Sequence, residues 1–226
     1  MTQQNSRISI QVGLSGYSFK LEDNGHVTRS GWMVPESVFT VKELQKRYSE
    51  VNVSVFTPYC ALVPQNFYRP ESVREQLSEV VRVPEDSYVE SVDVPEFGAA
   101  LLYSTSLGGT LHKVISESVL VVDGNKTKPL PEMYYMLKEL LNLSEYNRIL
   151  ASYMDGVLYL VVAQGKTLLL CNSYKAPDFT TAQYFIFMVL KKLQLNPEMS
   201  TISFRTPLTE EQEMSLYRYF KSVDVL

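Results

Sequence analysis

Residues able to do chemistry are scarce in this chain. It has two histidines, His26 and His112, and two cysteines, Cys60 and Cys171. A structural zinc site needs four ligands, normally paired at short spacing. None of these four residues has a partner at such spacing. Nucleophilic catalysis of the serine–histidine–acid kind needs all three groups in supporting context. Neither histidine has that context: His26 sits beside a hairpin turn and His112 in a loop-helix region. Gly108-Gly109-Thr110 reads as a bend, and Lys191-Lys192 with Lys175 as a solvated edge. Glu210, Glu211 and Glu213 read as the acidic first turn of a helix, complementing its dipole.

Composition narrows the partners. The 226 residues are 45% hydrophobic and carry a formal charge of −4, with a pI near 5.3. That is enough apolar material for one large domain or two small ones. There is no basic surplus to neutralise phosphates, so no nucleic-acid partner is expected. The polar start, Met1 to Arg7, has no basic stretch followed by an apolar run and does not read as a signal peptide. The richest apolar window, Val157 to Cys171, is broken by Gln164-Gly165-Lys166, so no membrane span is expected. Cys60 and Cys171 each sit in an apolar run and read as buried thiols rather than a disulfide, which places the chain in the cytoplasm.

The positioning elements form a repeated pattern. Ile8 to Val12 alternates like a strand, a turn follows at Ser15-Gly16, and Tyr17 to Leu21 returns. Asn24-Gly25 makes the next hairpin turn, and a third strand runs from about His26 to Met33. The plan recurs from Ile149 to Tyr153, through Asp155-Gly156, Val157 to Val162, Gln164-Gly165-Lys166 and Thr167 to Tyr174. Gly156 and Gly165 lie 140 residues after Gly16 and Gly25. Each meander then leads to a helix and a strand. Thr40 and Glu43 form a capping-box pattern, with Val41, Leu44, Tyr48 and Val51 on one helical face before a strand at Asn52–Thr57. Asp178 is a candidate N-cap before the stripe Phe179, Ala182, Ile186, Val189, Leu190 and Leu193. Ser200 to Arg205 is the next strand. Thr209 and Gln212 give a second capping box, opening a helix with Met214, Tyr217 and Phe220 inward.

A strand that follows a helical crossover pairs parallel beside the first strand. The result is an α/β chain with a duplicated ribonuclease-H-like, actin-like layout. Each of two lobes has a mixed sheet: an antiparallel three-strand meander, parallel strands and helices. Residues 1–144 form the first lobe, with an insertion at about 59–118, and residues 145–226 the smaller second lobe. Within the first, Pro70–Arg82 reads as a helix with Val73, Leu77, Val80 and Val81 inward, and Tyr88–Val94 and Phe97–Ser104 as strands. Leu130–Leu143 reads as a closing helix with Met133, Met136, Leu137, Leu140 and Leu141 apolar.

The segment Leu168 to Tyr174, followed by Asp178-Phe179, Tyr184 to Leu190, Leu193, Leu195 and Asn196-Pro197-Glu198, resembles a bacterial domain-of-unknown-function family described as having an actin-like ATPase fold. Ile8 to Phe19 and Leu62-Val63-Pro64 are similar as well. The resemblance implies the fold and no activity. Proteins of this fold include cell-division and pilus or secretion assembly proteins, several of them scaffolds.

Active members of the fold hold magnesium-ATP between two hairpin turns. The first strand carries an Asp two residues before a glycine, because magnesium takes hard oxygen ligands, and the turn presents N–H groups and hydroxyls to phosphate. Here the stretch is Gln11-Val12-Gly13-Leu14-Ser15-Gly16-Tyr17-Ser18, with a neutral amide in place of the acid. The second turn carries Asp155-Gly156, at a hairpin apex where an ordinary turn accounts for both. The adenosine-side loop, normally Gly-Gly, reads Ser203-Phe204-Arg205-Thr206-Pro207. All three signatures depart from the pattern, and Gln11 also removes the first carboxylate of a two-metal nuclease.

The expectation is a non-catalytic protein acting through contacts with an unknown protein partner, or with a second copy as a homodimer, and using no cofactor. The aromatic-rich helices Met133–Met136 and Tyr184–Met188 are apolar on nearly every side and must be covered, by their own lobe as the favoured reading or else by another chain. The alternative is a nucleotide-binding protein or slow ATPase taking ATP with Mg in the interlobe cleft, through Gly13, Ser15, Gly16, Ser18, Asp155 and Gly156. A small-ligand sensor using that cleft is a weaker third.

Overall fold

The computed structural model describes residues 6–105, 121–122 and 125–226. Gly108-Gly109-Thr110 and His112 lie outside the described residues. In chain order the strands are β1 (Ser6–Val12), β2 (Tyr17–Asp23), β3 (His26–Arg29), β4 (Glu50–Val55), β5 (Cys60–Pro64), β6 (Val89–Val94), β7 (Ala99–Ser104), β8 (Val121–Val122), β9 (Asn125–Lys126), β10 (Leu130–Pro131), β11 (Asn147–Met154), β12 (Val157–Gln164), β13 (Thr167–Lys175), β14 (Thr201–Phe204) and β15 (Ser222–Val225). The α-helices are α1 (Val73–Ser78), α2 (Glu132–Leu140), α3 (Phe179–Lys192) and α4 (Glu210–Tyr217).

Two compact units divide the chain. One comprises Met1–Thr57 with Thr105–Glu132, the other Pro58–Ser104 with Met133–Leu226. The expected cut near residue 144 separates copies of the repeat rather than compact units. The reason is that the small sheet β5-β7-β6 and nearly all of α2 group with the second copy.

In the first unit the sheet order is β10-β4-β1-β2-β3. β1 runs antiparallel to β2 and parallel to β4, and β10 is parallel to β4. Alternation along β1 sends Ile8, Ile10 and Val12 into a core with Tyr17, Phe19, Val53 and Val55, and leaves Ser9 and Gln11 on the opposite face. The helix expected from Thr40 does not form. Two single 3-10 turns, Pro35–Phe39 and Lys42–Gln45, stand there, and Thr40 closes the first of them. Extended backbone at Val41 interrupts any longer helix. The apolar residues still reach the core, with Val38, Leu44 and Tyr48 buried and the Tyr48 hydroxyl donating to the Glu43 carbonyl. Val51 reaches it from β4.

In the second unit the sheet order is β13-β12-β11-β14-β15. Read outward from the meander, both sheets have one plan: three antiparallel strands, then two parallel strands beside the first. The duplication therefore extends to a fifth strand, β10 and β15, that the repeat in the sequence did not disclose. The turns are not equivalent. Val12 faces Tyr17 across four residues, whereas Met154 faces Val157 across two, so the shared glycine spacing does not superpose the ladders.

Asp178 caps α3 as expected, its carboxylate accepting from the Thr181 N–H at 2.7 Å, and Ala182, Ile186, Val189 and Leu190 are buried against the sheet. The Thr209–Gln212 capping box opens α4 with both hydrogen bonds made. Its inward residues are Leu216 and, just beyond the helix, Phe220; Met214 and Tyr217, expected inward, are exposed because the short helix buries only one narrow face. The expected helix at Pro70–Arg82 shortens to a 3-10 turn and α1, with Leu77 buried and Val80 exposed. α2 begins at Glu132 because Leu130-Pro131 is used as β10. Met133, Met136, Leu137 and Leu140 are buried, and Leu141 is exposed.

Candidate functional site

The end of β1 is where the sheet order brings polar groups together. Gln11 sits opposite Ser18 on β2 and beside Ser54 on β4, all on the face away from the core. β10 pairs with β4 at Ser54, and the next residue after β10 is Glu132. Four side chains from four segments thus converge. The Gln11 amide donates to Glu132 Oε1 at 3.2 Å, the Ser54 hydroxyl donates to Glu132 Oε2, and the Ser18 hydroxyl donates to Gln11 Oε1 at 3.5 Å. Glu132 is fully buried. A buried carboxylate needs hydrogen-bond donors, and here an amide and a hydroxyl serve its two oxygens. Glu132 was not singled out in the sequence. Its only signal is an acid at the head of an apolar helix, which reads equally well as a dipole complement.

The β1–β2 turn is occupied by its own protein. The Gly13 N–H donates to the Gly16 carbonyl at 2.9 Å. Tyr17 and Met33 exchange backbone hydrogen bonds at 2.9 and 2.8 Å, which presses the Met33 carbonyl onto Gly16. A Cβ at Gly16 would meet that oxygen at 2.1 Å, so only glycine fits. The Trp32 indole N–H donates to Ser15 Oγ at 3.2 Å, and its ring lies 6.2 Å from that of Phe56. Of the expected phosphate-turn residues, Gly13, Ser15 and Gly16 stand together here, while the Ser18 hydroxyl is turned to Gln11.

Asp155 and Gly156 lie in the other unit. They are the two central residues of a tight β11–β12 hairpin with φ of +50° and +71°, the pairing of a type I′ turn. The Gly156 carbonyl accepts from the Ala176 N–H at 2.8 Å. At the end of β14, Phe204 is buried in the core, the Arg205 guanidinium lies 5.7 Å from the Tyr135 ring centre, and buried Thr206 accepts the Tyr153 N–H at 3.0 Å. The bulky residues in this loop thus serve their own unit's packing.

Both cysteines are thiols outside any disulfide, and both are half-buried. Packed surroundings push the Cys60 thiol up to about 12, and burial together with the neighbouring Cys60 raises that of Cys171. No group of three metal-ligating side chains occurs among the described residues. Among them, no helix is long and apolar enough to cross a membrane.

The family described as "Protein of unknown function (DUF3822)" matches residues 5–223. The chain belongs to this family. A Bacteroides thetaiotaomicron protein with an actin-like ATPase fold and unknown function aligns over 99% of this chain and 91% of its own, with a TM-score of 0.70 and 15% identity. The cytoplasmic domain of EpsL, an inner membrane component of the Vibrio cholerae type II secretion system, aligns over 91% and 84%, with a TM-score of 0.54 and 13% identity. A chain of the PilM–PilN type IV pilus biogenesis complex aligns over 97% and 88%, with a TM-score of 0.54 and 12% identity. No curated protein matches the chain. This DUF3822 member has the actin-like ATPase fold.

Proposed function

We propose that this chain is a non-catalytic, cytoplasmic actin-like protein that works through contacts with a protein partner. One observation carries the reading: the Gln11 amide, standing where a magnesium-organising acid would serve, is committed to the buried Glu132 carboxylate. An amide is neutral and cannot balance a metal's charge. Replacing that pair by a magnesium shell would break the hydrogen bond that satisfies one oxygen of Glu132. The adjoining turn uses the Gly13 and Tyr17 N–H groups within the protein, and its Ser15 oxygen accepts the Trp32 indole N–H. A partner surface has candidates in the second unit. Tyr184 and Met188 on α3, and Met214 and Tyr217 on α4, are exposed, and Tyr and Met are enriched at interfaces. EpsL and the matching chain of the PilM–PilN complex, named as parts of secretion and pilus assemblies, support the same use of this fold.

Trp32 is the chain's one tryptophan and touches the turn, so its fluorescence reports directly on any phosphate bound there. The expected result is no change in emission, no thermal stabilisation and no phosphate release with ATP and magnesium. A saturable change in Trp32 emission with nucleotide, accompanied by phosphate release, would establish the slow ATPase instead.

A further inference from the structure

The second unit brings together its two cysteines, which are 111 residues apart in sequence. Cys60 opens β5, the edge strand of the three-stranded sheet, and Cys171 lies within β13, the edge strand of the five-stranded sheet. These two edges lie against each other. Ser173 donates its hydroxyl to the Pro58 carbonyl at 3.5 Å. Ser173 is two residues after Cys171, and Pro58 two residues before Cys60. Cys171 and Cys60 therefore each lie two residues from this contact, on the two edges that meet. The electrostatic effect of Cys60 on Cys171 agrees with that placement.

We propose that Cys60 and Cys171 are a dithiol pair that a peroxide closes into an intramolecular disulfide, fastening the edge of the small sheet to the edge of the large one. The thiolate of one cysteine attacks a peroxide oxygen, the O–O bond breaks, and a sulfenic acid forms with release of one water. The sulfur of the second cysteine then displaces the sulfenic hydroxyl as a second water, and the S–S bond forms. Two electrons and two hydrogens pass from the thiols to the peroxide. The high thiol pKa keeps thiolate scarce at neutral pH, so the pair stays reduced under mild conditions and closes under sustained oxidant.

The test uses the full chain, reduced and then exposed to hydrogen peroxide, with remaining thiols alkylated before intact-mass and peptide analysis. The expected product is a monomer lighter by two hydrogens, refractory to alkylation, and yielding a Cys60–Cys171 cross-linked peptide. Its melting temperature rises and falls back on reduction. Cys60→Ala and Cys171→Ala each leave the other thiol open to alkylation with no rise in melting temperature. The wild-type peptide map decides the matter even if a variant folds poorly. Recovery of both cysteines as alkylated thiols, as separate sulfinic acids, or in disulfides between chains would overturn the proposal.

Discussion

The Gln11 carboxamide donates to the buried carboxylate of Glu132 across 121 residues of sequence, at 3.2 Å. The pair joins β1 to the segment that enters α2, and it sets the strongest prediction about the site. Gln11→Leu removes one donor from a fully buried carboxylate. The expected loss is about 1–3 kcal/mol in urea unfolding. Glu132→Gln in the same background should recover part of it, because a neutral amide is cheaper to leave underbonded. A double-variant loss equal to the sum of the Gln11→Leu and Glu132→Gln losses would mean that the two side chains are not coupled.

Gln11→Asp tests whether the place still has the shape of a cation site. It sets a second carboxylate against Glu132, so in chelator the variant should unfold at lower denaturant than Gln11→Leu, by like-charge repulsion at a buried position. Magnesium or manganese should then raise its melting temperature while leaving the wild type unmoved. A variant indifferent to divalent cations would show that the shell is lost altogether, beyond the one side chain.

Gly16 has a steric rather than a chemical duty. Gly16→Ala drives a Cβ to 2.1 Å from the Met33 carbonyl oxygen, which is backbone and cannot swing away. The expected cost is about 1–3 kcal/mol, as for other overpacked sites. Trp32 emission should change too, since its Nε1 lies 3.0 Å from the same Cβ position. Wild-type stability and emission in this variant would refute the close approach.

What the sequence disclosed follows from which signals are local. The meanders were legible because alternation and turn residues such as Asn24-Gly25 and Asp155-Gly156 act over a few residues. The caps at Asp178 and Thr209 were legible for the same reason. Thr40-Val41-Lys42-Glu43 carries the same capping pattern and forms none, because Val41 is extended between two 3-10 turns. Glu132 was hidden because its burial arises from pairing of β10 with β4, and β10 is only two residues long. The approach of Cys60 to Cys171 was hidden likewise, since the meeting of two sheet edges leaves no periodicity in either strand.

The two capping-box sequences, one formed and one not, give a paired experiment. Thr209→Ala removes an oxygen that accepts the Gln212 N–H at 3.2 Å and should cost about 1 kcal/mol. Thr40→Ala removes only a donor to the Ser37 carbonyl at an exposed turn, and should shift the urea midpoint by much less. A larger effect at Thr40 would mean that the segment is helical in solution.

Asp178 supplies the pH dependence. The Thr181 N–H that it caps holds its carboxyl below the usual aspartate range. A carboxyl with a lowered folded pKa contributes stability that is whole above its unfolded pKa, about 3.9, and that is lost as pH falls through the folded value. Asn caps a helix without titrating. Wild type and Asp178→Asn should therefore differ by a constant amount in melting temperature from neutral pH down to about pH 5. Below that, the wild type should lose ground to the variant steadily as the carboxylate protonates. A difference that stayed flat to the acid limit would show that the charge on Asp178 adds nothing to the cap, and that its oxygen acts only as a neutral acceptor.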